Sequence, residues 1–256
     1  MRTAPPPPVL IAHRGYPARF PENSLDGIAA ALEAGACFVE FDVQISGDGI
    51  PVVIHDNNTL RTAGVAISVP DTPLGELRQI CIGEPARFGK AFSHARIPTL
   101  AEIAAVLPKW PRAKAIVEIK RASLKRFGVP AVVPAVMDAL RPVLDRCIVI
   151  SFNREAAAAA RRAGARQIGW AVEEWNDGQR DIAVQLAPDY LFCKIGRLPP
   201  RTEPLWPGPW NWAAYQTDDP EEALNLAARG IALVETDNIG DMLRHPMLKQ
   251  KGCGDG

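Results

Sequence analysis

Apolar and polar positions along the chain fall into two alternating patterns. Short runs rich in Val and Ile, typical of buried strands, alternate with longer Ala- and Leu-rich stretches of helical period. This alternation predicts strand–helix units that form a mostly parallel sheet. The predicted strands are Val9–His13, Phe38–Val43, Ala115–Ile119, Cys147–Phe152, Gln167–Val172, Tyr190–Lys194, Asn211–Thr217 and Ile231–Thr236. Eight such strands predict a closed barrel rather than an open sheet.

Four of the intervening stretches carry residues that begin or end helices. Asn23 or Ser24 can cap the first of them, and the acidic pair Asp218-Asp219 precedes the last. Three of them are followed by a glycine, the residue that most readily ends a helix. The predicted helices are Ser24–Ala34, Val129–Leu140, Arg154–Ala163 and Pro220–Ala228.

Two segments interrupt the alternation. Residues 55–99 are too long and too rich in Gly and Pro for a plain connection, so we interpret about 56–98 as an insertion after the second barrel strand. The proline-rich stretch 196–209 is poorly suited to a helix, because proline lacks the amide hydrogen that a helix uses. The 256-residue chain is therefore predicted to be a single α/β domain, residues 1–256, built as a (β/α)8 barrel.

The charge balance limits the classes of partner. The chain has 29 Lys and Arg residues and 29 Asp and Glu residues, so its formal net charge is zero. A protein of this kind lacks the positive field that draws nucleic-acid-binding proteins to their ligand. We therefore predict no nucleic-acid partner, and we expect any recognition of phosphate to be local.

Cysteine usage and hydropathy bear on the cellular compartment. The five cysteines are odd in number and widely spaced, without a CxxC pair, which argues against a disulfide framework and against a zinc site. We expect them to be buried and unpaired. No apolar run approaches the roughly 20 residues that span a bilayer, and Val9–Ala12 is too short for the core of a signal peptide. These features predict a cytoplasmic protein without a membrane span.

Two carboxylates lie on one face of the second predicted strand. Glu40 and Asp42 are two residues apart, with Val39 and Phe41 on the other face. If their face looks into the barrel, two like charges a few ångströms apart need a cation or a shared proton. A solvent-facing acidic strand is the alternative, but a strand in a parallel barrel is covered on both faces. The pattern therefore favours a divalent metal site.

Histidines follow two of the extended runs. His13 and Arg14 close the first strand, where a barrel places its active site, although a surface ion pair is the ordinary reading of such a pair alone. His55 ends a short run after the turn at 46–49, so a hairpin would return it near Glu40 and Asp42.

The third predicted barrel strand adds a carboxylate and a lysine on one face. These residues are Glu118 and Lys120. A self-satisfied ion pair between them is the alternative to a functional role, because buried Lys and Glu are seldom left unpaired. Three carboxylates that converge with two histidines are harder to explain in that way.

The order of these motifs resembles that of the glycerophosphodiester phosphodiesterase family, of the cytoplasmic bacterial type. The matching elements are His13-Arg14-Gly15, Pro21-Glu22-Asn23-Ser24, Glu40-Phe41-Asp42-Val43, His55-Asp56, Ile97-Pro98-Thr99-Leu100 and Glu118-Ile119-Lys120. No single element is specific, and the six in order cover the first half of the chain. The resemblance implies a TIM barrel whose mouth holds one divalent metal ion, with the segment after the second strand as the family's small insertion.

The resemblance also implies a role for each residue. It makes Glu40, Asp42 and Glu118 the metal ligands, His13 and His55 the general acid and base, and Arg14 and Lys120 contacts to the phosphate. Oxygen ligands suit Mg²⁺ or Ca²⁺, with Mn²⁺ as a further option, rather than zinc. Both histidines then remain free for proton transfer.

The second half of the chain departs from the family pattern. Tyr215 stands where the family often has Trp on the seventh strand, and is a candidate contact to the substrate, while Glu235 stands where an aliphatic residue is usual. Trp206, Trp210 and Trp212 could line the pocket for the alcohol or could fill the core. These departures concern the alcohol side of the site.

The predicted function is hydrolysis of a small glycerophosphodiester to sn-glycerol 3-phosphate and an alcohol. One alternative is a phospholipase-type barrel that cleaves a larger lipid head group, which requires an apolar or basic rim. Another is a barrel that binds a phosphodiester without turnover, which a complete set of acid, base and metal ligands argues against.

Overall fold

The computed structural model describes residues 6–249. Its strands are β1 (Val9–Ala12), β2 (Phe38–Ile45), β3 (Pro51–Val53), β4 (Lys114–Ile119), β5 (Cys147–Ser151), β6 (Gln167–Val172), β7 (Tyr190–Lys194), β8 (Asn211–Tyr215) and β9 (Ile231–Thr236). All except β3 are parallel and follow the order β1-β9-β8-β7-β6-β5-β4-β2, and the pairing of β1 with β2 closes the ring. The predicted (β/α)8 barrel is confirmed, and each predicted strand agrees with the structure to within two residues.

Side chains of the barrel strands alternate between an inner and an outer core. Inward-pointing residues such as Ile11 and Ile116 pack together inside the barrel, whereas Phe41 and its outward-pointing neighbours pack against the helices. On β2 the period-two alternation therefore turns Glu40 and Asp42 into the barrel, where both are almost completely buried. The buried face predicted for this pair is confirmed.

Helices cover the outside of the barrel. The described residues form α1 (Leu25–Glu33), α2 (Leu60–Ala63), α3 (Leu74–Leu77), α4 (Pro85–Phe88), α5 (Leu100–Val106), α6 (Arg121–Phe127), α7 (Val129–Leu140), α8 (Arg154–Arg162), α9 (Asp177–Leu186), α10 (Pro220–Ala228) and α11 (Ile239–Arg244). The four predicted helices are α1, α7, α8 and α10, and the side chains of Ser24, Asn153 and Asp219 cap three of them. Sequence reasoning missed the others because they are short or, like α9, bury few apolar residues.

The segment between β3 and α5 has a small core of its own. It contains the single-turn helices α2, α3 and α4. Its buried apolar residues are Val52, Ile54, Val69, Leu77, Ile82, Ala95 and Ile97. The segment returns beside β3, where the Val53 amide donates to the carbonyl of Pro98. It therefore remains attached to the strand that leads to His55.

The connection between β7 and β8 is irregular, as the sequence predicted. Within the described residues it contains one 3-10 turn, Ile195–Arg197, and no α-helix. The ring of Trp206 stacks on that of Trp175 at a centroid distance of 4.1 Å, and both pack against Trp212. Trp206, Trp210 and Trp212 all belong to the outer core, so the idea that they line the alcohol pocket is wrong.

The cysteines only partly follow the prediction. Cys147 and Cys193 are buried and free, and Cys81 is free and half-buried. Cys37, however, is disulfide-bonded, which corrects the expectation of unpaired cysteines. Spacing along a sequence does not reveal which thiols the fold brings together. The cytoplasmic location inferred partly from the cysteines stays a prediction.

Among residues 6–249, no helix combines the length and the apolar character that crossing a bilayer requires.

Candidate active site

The carboxyl ends of the barrel strands surround a cavity of about 230 Å³. Six residues singled out in the sequence line it, namely His13, Arg14, His55, Glu118, Lys120 and Tyr215. Glu40 and Asp42 adjoin it: the Arg14 amide donates to Glu40 Oε2 at 3.0 Å, and Asp42 contacts both Arg14 and Lys120. All eight candidate residues therefore meet at one site.

Three carboxylates converge beside this cavity. One oxygen from each of Glu40, Asp42 and Glu118 lies within 4.8 Å of the other two. The parallel register of β2 and β4 places Asp42 directly beside Glu118, and Glu40 precedes Asp42 on the same face. Burial, followed by the charges of the other acidic residues, raises the pKa of Glu40 well above its ordinary value. In the described part of the chain, this is the cluster whose ligand atoms could hold a metal ion.

In the described part of the chain, two buried atoms at the site have a charged neighbour, but their full hydrogen-bonding capacity is not met, and they are of opposite kinds. Glu118 Oε1 is an acceptor that lies 2.8 Å from Lys120 Nζ. Arg14 Nε is a donor that lies 3.2 Å from Asp42 Oδ2. Buried polar atoms normally have partners. An unsatisfied carboxylate oxygen fits a cation, and an unsatisfied guanidinium N–H fits an anionic oxygen.

The residues present therefore fit a divalent cation. All three candidate ligands are carboxylates, the hard oxygen donors that Mg²⁺, Ca²⁺ and Mn²⁺ accept. Lys120 Nζ lies 3.1 Å from Asp42 and 2.8 Å from Glu118, so the ion pair considered as an alternative role for Glu118 is present. Burial would raise the pKa of Asp42, but Lys120 and Arg14 outweigh it and lower that pKa. Among residues 6–249 no cation forms an ion pair with the Glu40 carboxylate, and the charge of Arg14 only partly offsets the effects that raise its pKa, which leaves the cluster incompletely neutralised.

The rings of His13 and His55 are held in similar ways, but their pKa values are shifted in opposite directions. Each ring places Nδ1 against a carboxylate, Asp237 at 2.7 Å for His13 and Asp56 at 2.6 Å for His55. Burial lowers the pKa of His13, but the Asp237 hydrogen bond and the Glu235 charge reverse this and raise it. Burial also lowers the pKa of His55, and there the nearby cations help to keep it low. Because both Nδ1 atoms are engaged, Nε2 is the nitrogen left for proton transfer.

A network from the segment after β3 supports the same groups. Arg61, on α2, donates from Nε to Asp56 at 2.8 Å and pairs through its NH groups with Glu22. Glu22 also accepts from Arg14. Sequence reasoning did not assign these supporting residues. Their signal was only their position beside His55 and within the Pro21-Glu22-Asn23-Ser24 element.

The remaining wall of the cavity is mostly apolar. It includes Ile150, Phe152, Ala171 and Phe192, and the rings of Phe152 and Tyr215 meet edge to face at 6.4 Å. Glu235 is the buried exception on this side. The sequence marked Glu235 as a departure from the family pattern without assigning it a role, and Asp237, which holds His13, was not assigned either.

Comparisons with known proteins agree with this arrangement. A sequence model of the glycerophosphoryl diester phosphodiesterase family matches residues 13–181. A glycerophosphodiester phosphodiesterase of Caldanaerobacter subterraneus is 28% identical over 244 residues, which cover 92% of this chain and 98% of that protein.

Solved structures give the same result. The fold is similar to that of an Oleispira antarctica phosphodiesterase in complex with the product sn-glycerol-3-phosphate, with a TM-score of 0.78, 25% identity and coverage of 92% and 95% of the two chains. An Agrobacterium tumefaciens glycerophosphodiester phosphodiesterase, 21% identical, shares the fold at a TM-score of 0.69 over 92% and 98% of the chains. Because the family match spans more than half of the sequence and its motifs converge at one mouth, the chain belongs to the glycerophosphoryl diester phosphodiesterase family and is an enzyme of that type.

Proposed function

We propose that this protein hydrolyses small glycerophosphodiesters to sn-glycerol 3-phosphate and an alcohol, with one divalent cation and two histidines as the working groups. The observation that carries the proposal is the position of His13 and His55 at one cavity beside the cluster Glu40, Asp42 and Glu118. Each histidine keeps Nε2 free, and the two differ in the direction of their pKa shifts. Acid and base catalysis need this pairing.

Glu40, Asp42 and Glu118 would hold the cation, with Mg²⁺ or Ca²⁺ the expected ions and Mn²⁺ a further option. When bound, such an ion offsets the negative charge on the phosphoryl oxygens. Arg14 would bind another phosphoryl oxygen through its unsatisfied Nε–H, which points to a missing acceptor. Lys120, which is paired with Asp42 and Glu118, would add positive charge on the side of the cavity where the phosphate binds.

The directions of the two pKa shifts favour one assignment of the histidines. The lowered pKa of His55 favours the neutral imidazole, which can accept a proton. The raised pKa of His13 favours the imidazolium, which can donate one. His55 would therefore deprotonate the nucleophile, and His13 would protonate the leaving alkoxide at its Nε2–H. Asp56 and Asp237 hold the two rings in the tautomer that this exchange needs.

The nucleophile we favour is the substrate's own hydroxyl on the carbon next to the phosphorylated one. This hydroxyl is bound together with the phosphate, so its attack avoids the entropy cost of orienting a separate water. The P–O bond to the alcohol would break as a five-membered cyclic phosphate forms, and water would then open the ring with the histidines in exchanged roles. Rapid turnover of an analogue with hydrogen in place of that hydroxyl would instead show direct attack by water.

The function is tested by incubating metal-free protein with sn-glycero-3-phosphoethanolamine and adding Mg²⁺, Ca²⁺ or Mn²⁺ in turn. Release of glycerol 3-phosphate that depends on the ion supports the proposal. Binding without release supports a non-catalytic barrel, and selective turnover of an intact phospholipid supports a phospholipase-type enzyme.

A further inference from the structure

Glu235 is a buried carboxylate whose charge helps to raise the pKa of His13, but whose hydrogen-bonding capacity the proposed reaction does not use. Glu235, on β9, is 4% exposed, and it is one of the residues that line the cavity. Among the described residues its carboxylate makes one charged contact, with His13 Nε2 at 4.0 Å. This distance is too long for a hydrogen bond. The side chain is therefore more than nine-tenths buried, its carboxylate opens onto the cavity, and no described residue donates a hydrogen bond to it.

Such a group is costly unless the cavity brings it a partner. Burial raises the pKa of Glu235 to about 7, and the charge of His13 only partly opposes this. A leucine or isoleucine would fill the same wall without the cost of an unpaired buried carboxylate. The remaining acceptor capacity therefore points to a donor that arrives with the substrate.

The surroundings of Glu235 place this donor on the alcohol side of the phosphate. The carboxylate cluster and Lys120 lie on β2 and β4, or directly after β4, whereas Glu235 lies on β9 beside Tyr215 of β8. Both residues line the same cavity, and Glu235 also acts electrostatically on Glu40 in the carboxylate cluster. His13, the proposed donor to the leaving alkoxide, lies between the two sides.

His13 and Glu235 would contact two different groups of the alcohol. The distance between the two side chains therefore limits how far apart those two groups can be. His13 Nε2 would donate to the ester oxygen, and Glu235 Oε2 lies 4.0 Å from that nitrogen. Heteroatoms on adjacent carbons lie about 3 to 3.7 Å apart in staggered conformers. An N–H or O–H group on the second carbon of the alcohol would therefore reach Glu235 while the ester oxygen reaches His13.

We infer that Glu235 is a specificity-determining residue that accepts a hydrogen bond from a donor on the second carbon of the leaving alcohol. Ethanolamine and glycerol have this chemistry, as do serine and inositol. An alcohol without such a donor would leave the buried carboxylate unsatisfied, which is the situation in which enzymes discriminate most strongly. The inference rests on the proposed function, since it presumes that His13 faces the leaving group.

The test compares three glycerol phosphodiesters whose alcohols are ethanolamine, glycerol and ethanol, the last having no second donor. Wild type, Glu235→Leu and Glu235→Gln are assayed, with Glu155→Gln on exposed α8 as the control for loss of one charge. Loss of the Glu235 charge beside His13 should lower kcat/KM for all three diesters alike. Beyond this shared loss, we expect Glu235→Leu to lower kcat/KM about ten- to hundredfold more for the ethanolamine and glycerol diesters than for the ethyl diester, as for a hydrogen bond to a charged group. The larger of the two losses identifies the preferred donor.

An equal loss for all three diesters overturns the inference, because Glu235 would then act through His13 and not through the alcohol. Glu235→Gln, which preserves shape and one acceptor oxygen, provides the same comparison if the leucine variant does not fold.

Binding separates this inference from the reaction itself. In a His55→Ala background, calorimetry should show that Glu235→Leu weakens binding of the ethanolamine diester and leaves binding of the ethyl diester unchanged. If binding changes in this way but the wild-type protein does not hydrolyse the ethanolamine diester, the proposed function is overturned. Recognition of the donor by Glu235 is then still supported. Unchanged binding of both diesters overturns the inference.

Discussion

The two sides of the cavity differ in how their side chains are satisfied. The ionic wall, formed by His13, Arg14, Glu40, Asp42, His55, Glu118 and Lys120, is a network in which nearly every group has a charged partner. The aromatic wall, formed by Phe152, Phe192 and Tyr215 with Ile150 and Ala171, is mostly apolar. Under the proposed function, the ionic wall would carry the chemistry and the aromatic wall would contact the alcohol. Variants on each wall test this division.

Removal of the cation should abolish activity. Excess EDTA should stop release of glycerol 3-phosphate, and Mg²⁺, Ca²⁺ or Mn²⁺ should restore it, because the carboxylate cluster supplies only oxygen ligands. Thermal melting should also rise on addition of the ion, since binding relieves repulsion among the acidic residues. Full turnover by protein shown to be metal-free would contradict the assignment.

Loss of either histidine should reduce turnover severely without loss of the ion. His13→Ala and His55→Ala should each lower kcat about a hundred- to ten-thousandfold, the usual effect of removing a positioned proton-transfer group. Calorimetric titration with Ca²⁺ is the control, and it should show affinity near that of wild type. A variant that no longer binds the ion would place its histidine among the metal ligands.

The pH profile should show which histidine is the acid. His55 must be neutral, so activity should fall as the pH drops through its lowered pKa, below the ordinary 6.5. His13 must be protonated, so activity should fall as the pH rises through its raised pKa, above 6.5. Asp237→Asn removes a hydrogen bond that raises the pKa of His13, and should move the alkaline limb of kcat to lower pH. Movement of the acidic limb instead would reverse the assignment.

Arg61→Met should have a smaller effect, confined to the positioning of His55. The substitution removes the donor that holds Asp56 and one partner of Glu22. We expect kcat to fall about tenfold, comparable to the loss of one charge-assisted hydrogen bond. Arg126→Met, which removes an exposed pair with Asp71, is the control and should leave kcat unchanged. Equal losses in both variants would show that the effect is not local.

Tyr215→Phe should have the smallest effect of the series. The aromatic ring that meets Phe152 is retained, and only the hydroxyl is lost. KM for sn-glycero-3-phosphocholine should change by less than about fivefold, in the range of one neutral hydrogen bond. If Tyr215→Phe lowers activity as much as a histidine variant does, Tyr215 takes part in the chemistry, and the assignment of the two walls to different roles is wrong.

The same division explains how much the sequence could predict. Barrel strands are short apolar runs bounded by turns, so the eight barrel strands were recognisable from pattern alone, and the turn at 46–49 also indicated the short β3 and its antiparallel return along β2. The ionic wall was recognisable because its polar residues interrupt strands that should otherwise be apolar. Glu40 and Asp42 on one face of β2 are the clearest case.

Other features depend on contacts that no local pattern reveals. Asp237 holds His13 although 224 residues separate them, and Cys37 is disulfide-bonded although its spacing gave no sign of it. The tryptophans near 206–212 were ambiguous because a large aromatic residue suits a core and a pocket equally well. Glu235 could be seen as unusual, but only the three-dimensional structure shows that no described residue donates a hydrogen bond to it and that its charged neighbour, His13, is 4.0 Å away.

The bridge between Glu22 and Arg61 also constrains how members of this fold can be recombined. Glu22 belongs to the loop after β1, and Arg61 belongs to α2, in the segment that varies most easily in length. A chimera that imports this segment from a relative without an arginine at the matching position would leave Glu22 buried beside Arg14 alone and would release Asp56. Segment exchange should therefore succeed only when Glu22 and Arg61 are transferred as a pair.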